Sequence, residues 1–199
     1  MSYSSPIAYT TNGARQVAFF TAYALVGLSP KEGRLLWRFP WKTRYDVSAA
    51  TPVFVPPDRI FISSGGDGAV VRIKEDGVEE VWKNSEMKNH FGTSVQLDGY
   101  LYGFDESILK CVDVQTGEEK WKTRGYAKGT LIAADGHLIV LGEQGNLGLV
   151  EATPERFNER AGAQVMNARC WTVPSFADGT LYLRDETEII AVDLRQSAE

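Results

Sequence analysis

The chain repeats itself, and that constrains its fold more than anything else in the sequence. A turn pair recurs five times between apolar runs: Asn12-Gly13, Pro57-Asp58, Asp98-Gly99, Asp135-Gly136 and Asp178-Gly179. Successive pairs stand 37 to 45 residues apart. Asn-Gly and Asp-Gly accept the positive φ angles of tight hairpin loops, so each pair marks a hairpin, the first two with looser turns. A second series follows each of the first three hairpins. Residues 28–33, 73–77 and 112–117 each carry an apolar strand into a polar turn that closes on Gly33, Gly77 or Gly117. A third series places a Trp four or five residues after that glycine: Trp37, Trp82 and Trp121. The fourth repeat offers Phe157 for the Trp and Thr153-Pro154-Glu155 for the turn. The fifth reaches Asp193-Leu194-Arg195 before a Trp could appear.

The runs between turns are short and rich in β-branched and aromatic residues, as at 16–21, 59–63, 100–103, 137–141 and 180–183. That composition reads as strand. Residues 155–167 are the only plausible helix, and they lack the apolar stripe a packed helix needs; a loop or a long strand connection is an equal expectation. About 40 residues and four antiparallel strands per repeat define a β-propeller blade. The expected architecture is therefore all-β, with blades near 4–45, 46–88, 89–126, 127–168 and 169–199. Trp37, Trp82 and Trp121 are expected to fill the wedges between blades, each burying roughly 150–250 Å².

The segment Cys111-Val112-Asp113-Val114-Gln115-Thr116-Gly117-Glu118-Glu119-Lys120-Trp121 resembles the repeat of pyrroloquinoline-quinone-type propellers. Asp113, Thr116, Gly117 and Trp121 match that repeat in full. Repeats one and two match at Gly and Trp, with Ser29 and Lys74 where the Asp belongs. Residues 169–185, which include Trp171 and the Asp178-Gly179 turn, resemble the terminal blade of bacterial quinoprotein-like repeat proteins. The resemblance implies seven or eight blades in a full ring, so these five repeats are expected to be an incomplete part of one. It also implies that the parent is periplasmic or secreted. Met1-Ser2-Tyr3-Ser4-Ser5-Pro6 shows no signal peptide, which fits either a cytosolic chain or one that starts partway through a longer parent. The repeat favours the second reading. The chain either closes as a small five-bladed ring or stays open as an arc; an open arc exposes an apolar face and an unpaired strand edge, so a homo-oligomer, most simply a dimer, or the missing N-terminal blades are the expected partners.

Function follows less directly. Hydrophobic residues are 43% and charged residues 24%, which excludes a disordered chain. No apolar run reaches the roughly 18 residues of a membrane helix. Net charge is -5 with scattered Lys and Arg, which argues against nucleic acid as a partner. The resemblance raises two functions. One is a non-catalytic binding or protein-interaction scaffold with no cofactor of its own. The alternative is part of a dehydrogenase that binds pyrroloquinoline quinone with Ca²⁺. The adjacent Cys-Cys pair frequent in that class is absent, since Cys111 and Cys170 stand alone and read as buried core. A hard cation takes six to eight oxygens. Asp67, Asp105-Glu106, Glu143 with Asn146, and Asp185-Glu186 fall at equivalent places between second and third strands, and read first as a solvated rim. His90 and His137 lack a third ligand. The glycine-rich run 63–68 is followed by neither Lys nor a helix, so it reads as a bent hairpin rather than a phosphate loop. Trp41 is either core or a surface anchor. Asp113 is expected to cap the Thr116-Gly117 turn, a structural task rather than a catalytic one.

Overall fold

Alternation of apolar and polar residues builds five antiparallel sheets in a computed structural model that describes residues 2–43 and 45–195. The first sheet orders β1 (Ile7–Thr11), β2 (Ala14–Phe20), β3 (Ala24–Leu28) and β4 (Leu35–Pro40). The second holds β5 (Val53–Val55), β6 (Arg59–Ser64), β7 (Asp67–Lys74) and β8 (Gly77–Asn84). The third holds β9 (Val95–Leu97), β10 (Tyr100–Asp105), β11 (Ile108–Asp113) and β12 (Glu119–Thr123). The fourth holds β13 (Thr130–Ala134), β14 (His137–Leu141), β15 (Asn146–Glu151) and β16 (Glu159–Gln164). The fifth holds β17 (Ser175–Ala177), β18 (Thr180–Arg184) and β19 (Ile189–Asp193). Each sheet is a meander, as a propeller blade requires.

The hairpin turns explain the meander. Asn12, Asp98, Asp135 and Asp178 all take φ between 45° and 49°, each followed by a Gly with φ between 69° and 88°. Two successive positive φ angles give the loop whose twist matches paired strands. The first turn is therefore as tight as the later ones, contrary to the sequence expectation. Only the second is longer, running through Pro56, Pro57 and Asp58 between Val55 and Arg59. Residues 155–167 contain a strand and no helix, because β16 pairs with β15 along its whole length.

Neighbouring sheets sandwich the core. Inner strands β1, β5, β9 and β13 follow one another, and among the described residues nothing comparable links the fifth sheet back to the first. The sheets form an open arc. The middle strands β6, β7, β10 and β11 are buried on both faces; β18 is buried on one face only. One irregularity recurs in all four complete sheets: a β-bulge separates the third and fourth strands at Gly27/Leu28, Val70/Val71, Cys111/Val112 and Leu149/Val150. The residue just after the bulge on the fourth strand is Trp37, Trp82, Trp121 and, in the fourth sheet, Ala161. Phe157 does not occupy the Trp position. It lies in the turn before β16 and packs edge-on against Trp121 at 5.8 Å.

Candidate interaction face

Trp82 and Trp121 of the repeat reach forward to the next sheet. Trp82 Nε1 donates to Val114 O at 2.9 Å, and Trp121 Nε1 donates to Thr153 O at 2.7 Å. Trp37 differs: its Nε1 donates to Gln16 Oε1 at 2.8 Å within its own sheet, and its ring covers Gly27, where a Cβ would lie 2.2 Å from it. The Thr116-Gly117 turn lies on Trp82. Asp113 Oδ1 accepts the amides of Gln115 and Thr116, at 2.7 and 3.2 Å. Gly117 takes φ 76°, and a Cβ there would meet the Trp82 ring at 2.7 Å, so both backbone shape and space call for glycine. Trp171 stands apart from this series. It is 44% exposed, in the connection before β17 rather than on a fourth strand.

The hairpins between second and third strands share one face of the arc with the connections from each sheet to the next. Backbone bonds tie them together: Glu106 N to Lys88 O, Glu143 N to Tyr126 O, and Cys170 N to Glu143 O. Between them opens a cleft of about 650 Å³, lined by Tyr3, Thr43, Tyr45, Asn89, His90 and Phe91. Tyr45 is 76% exposed. Phe91 meets the Trp171 ring at 4.9 Å, Arg169 stacks over the same Trp171 ring at 4.4 Å, and Trp171 Nε1 donates to Glu143 Oε1 at 2.9 Å. The glycine-rich run turns here, with Gly65 at φ 73° pressed against Thr43.

The rim carboxylates are committed to the protein's own donors. Asp67 pairs with Lys83 at 3.4 Å and Glu106 with Lys128 at 3.2 Å. Glu186 pairs with Arg169, and Asn146 Nδ2 donates to Gly125 O. Asp185 accepts the amides of Thr187, Glu188 and Ala168, and these bonds, led by Thr187, pull its pKa down to about 2. Asp105 is buried against Lys110 at 2.9 Å, and Lys110 also meets Glu119 and Glu86 at 3.1 and 3.2 Å. Burial alone would lower the Lys110 pKa; the bonds to Asp105, Glu119 and Glu86 outweigh it and hold the pKa above its ordinary value. Among the described residues no group of three His, Cys, Asp or Glu is placed to hold a metal ion. Among the described residues, the acidic turns that would ligate Ca²⁺ beside a quinone are engaged as hairpin caps and ion pairs.

The remaining candidates scatter. His90 lies edge-on to Phe91 at 5.3 Å beside the cleft, whereas His137 bonds Asp135 O in a hairpin at the other end of the strands. Trp41 is core, edge-on to Phe20 at 6.2 Å with Lys83 over its ring. Cys111 and Cys170 are buried free thiols, and burial pushes Cys111 up to about 12. Lys110 and Tyr126 escaped the sequence reading. A lysine inside the apolar run Ile108-Leu109-Lys110-Cys111-Val112 was the available signal for the first. Nothing local marked the second.

A family model described as "Outer membrane protein assembly factor BamB", of the pyrroloquinoline-quinone-like repeat class, matches residues 1–123. The chain belongs to that family. No curated protein matches the BamB-like chain. The crystal structure of BamB from Moraxella catarrhalis superposes with a TM-score of 0.74 over 96% of this chain, at 12% identity. That likeness shows the fold, a quinoprotein-like β-propeller. The match covers 61% of the Moraxella protein, so the chain spans about three-fifths of its length.

Proposed function

We propose that this BamB-like chain is a non-catalytic scaffold that binds protein partners through the hairpin face of its arc, in the assembly of outer membrane proteins. The observation that carries the reading is the cleft itself: exposed Tyr3 and Tyr45 beside Phe91 and Trp171, on a face whose carboxylates are already paired. Amphipathic aromatic rings on a rigid frame are what polypeptide-binding surfaces concentrate. The family description supports the same biology. The parent is then a periplasmic or secreted protein. The open ends of the arc are covered by further blades of that parent or by a second copy of the chain.

Photo-crosslinking tests the scaffold reading. A crosslinker at Tyr45 or Phe91 is expected to trap a polypeptide in cells, and one at Lys31, in the turn between β3 and β4 at the other end of the strands, is not. Equal yields from both positions, or none from either, would overturn it.

A further inference from the structure

We infer that the cleft shared by Arg124, Tyr126 and Glu159 binds a small zwitterion of the amino-acid or dipeptide class. Arg124 and Tyr126 lie in the connection from β12 to β13, so the site sits where the third sheet passes to the fourth. It is separate from the hairpin-face cleft, and the inference does not rest on the scaffold reading.

The cleft encloses about 480 Å³ and is lined by Arg124, Tyr126, Asn146, Glu159, Gly162 and Gln164. It contains an unused hydroxyl. Tyr126 is 5% exposed, and its Oη has no hydrogen-bond partner among the described residues. Its ring belongs to the core between the third and fourth sheets, a task phenylalanine would serve as well. Buried polar groups are nearly always satisfied, so this exception points to a partner outside the chain. Burial first, and then the neighbouring Glu159 carboxylate, push the phenol's pKa up, so the hydroxyl keeps its proton.

The fourth sheet is cut away to seat these groups. Gly148 and Gly162 stand opposite one another on β15 and β16. Opposed residues of an antiparallel pair face the same side. A Cβ on Gly148 would fall 1.9 Å from Tyr126 Oη, and one on Gly162 would fall 2.5 Å from Glu159 Oε1. The paired glycines therefore let a phenol and a carboxylate lie side by side on one face of the sheet. The walls are fixed by the chain itself. Glu143 N donates to Tyr126 O, and Asn146 Nδ2 donates to Gly125 O at 3.2 Å. Gln164 Nε2 donates to Gln144 O and to Met166 O, both at 2.6 Å. A site held in shape beforehand spends less on binding.

Charge selects the ligand. Arg124 and Glu159 bear opposite charge and line one cleft, yet among the described residues neither is in an ion pair. The rim carboxylates Asp67, Glu106 and Glu186, by contrast, each hold a cation. The Arg124 guanidinium can take a carboxylate through two parallel bonds. Glu159 only accepts, and calls for an ammonium. Tyr126 Oη has lone pairs for the same ammonium. An anion alone would meet Glu159, and a cation alone would meet Arg124; a molecule carrying both charges suits both. Leu147 and Ala163 add only a small apolar patch, so recognition falls on the charged ends.

A magnetic-resonance titration of the whole isotope-labelled chain with glycyl-serine tests the site. The amides of Gly125, Gly162 and Gln164 are expected to shift at millimolar dipeptide. N-acetyl-glycyl-serine and glycyl-serine amide each lack one charge. Each should bind at least about tenfold more weakly, the loss expected for one charge-assisted pair. Two variants assign the ends, and both side chains are exposed, so neither change threatens the fold. Arg124→Gln should bind glycyl-serine and its amide alike. Glu159→Gln should bind glycyl-serine and its N-acetyl form alike. Tyr126→Phe keeps the ring and removes the unsatisfied hydroxyl. It is expected to melt no lower than the natural chain while binding glycyl-serine more weakly. No shifts with glycyl-serine, equal binding of the blocked forms, or shifts centred on Tyr45 and Phe91 would each overturn the proposal.

Discussion

Trp121 and Trp171 are the same residue type in opposite circumstances. Trp121 is 8% exposed, hydrogen-bonded to the next sheet, and packed with Tyr102 and Phe157. Trp171 is half-exposed against Phe91 and Arg169. Truncation should separate them. Trp121→Ala is expected to cost about 3–5 kcal/mol in urea denaturation, the range for large buried aromatics. Trp171→Ala should cost under about 1 kcal/mol and spend its effect on binding instead. Sequence spacing was enough to find Trp121, because the turn glycine and the bulge fix its distance from the hairpin. It was not enough for Phe157. Counting from a glycine fails when the turn is built from Thr153-Pro154-Glu155, and the register against Leu149 puts Ala161 there.

Among elements, the hairpin between β18 and β19 shows how a rim carboxylate serves the fold. Asp185 is acceptor for three backbone amides and the Thr187 hydroxyl. Its folded pKa, about 2, lies below the ordinary carboxylate value, so the unfolded chain binds its proton more readily. The stabilisation is therefore complete above the unfolded pKa of about 4 and is lost as pH falls through about 2. Thermal unfolding of the protein and of Asp185→Asn should show a clear gap at pH 7 that closes between about pH 4 and pH 2. A gap that stays constant across that window would contradict the capping role. The sequence showed these acidic turns as a recurring position, which is correct. It could not show that each has a donor within the chain, since Lys83 comes from strand β8 and Lys128, Arg169 and the 168 amide from the connections between sheets. The strand β16 was hidden for a related reason. Ala-Gly-Ala has no β propensity of its own, and only pairing with β15 makes it a strand.

The whole molecule is an arc with a dense middle and two open ends. β6, β7, β10 and β11 are covered on both faces, whereas Phe176, Tyr182, Ile189 and Leu194 stand exposed at one end and Phe19 and Leu35 at the other. Local stability should follow that gradient. Hydrogen exchange is expected to be slowest in β6, β7, β10 and β11 and fastest in β17 and β19. A partner that covers an open end should slow exchange in that end first. The repeat period alone carried the fold class, because five hairpins at a 40-residue period fit a propeller. The partner was not legible, since surface selection depends on where connections converge. The central claim is a binding scaffold without quinone chemistry, and native mass spectrometry of the chain with pyrroloquinoline quinone and Ca²⁺ tests it most directly. The account predicts the mass of the protein, alone or as a second-copy assembly, with no quinone adduct. A stoichiometric quinone and Ca²⁺ adduct would contradict it and make Asp105, Glu143 and Asp185 the residues to replace first.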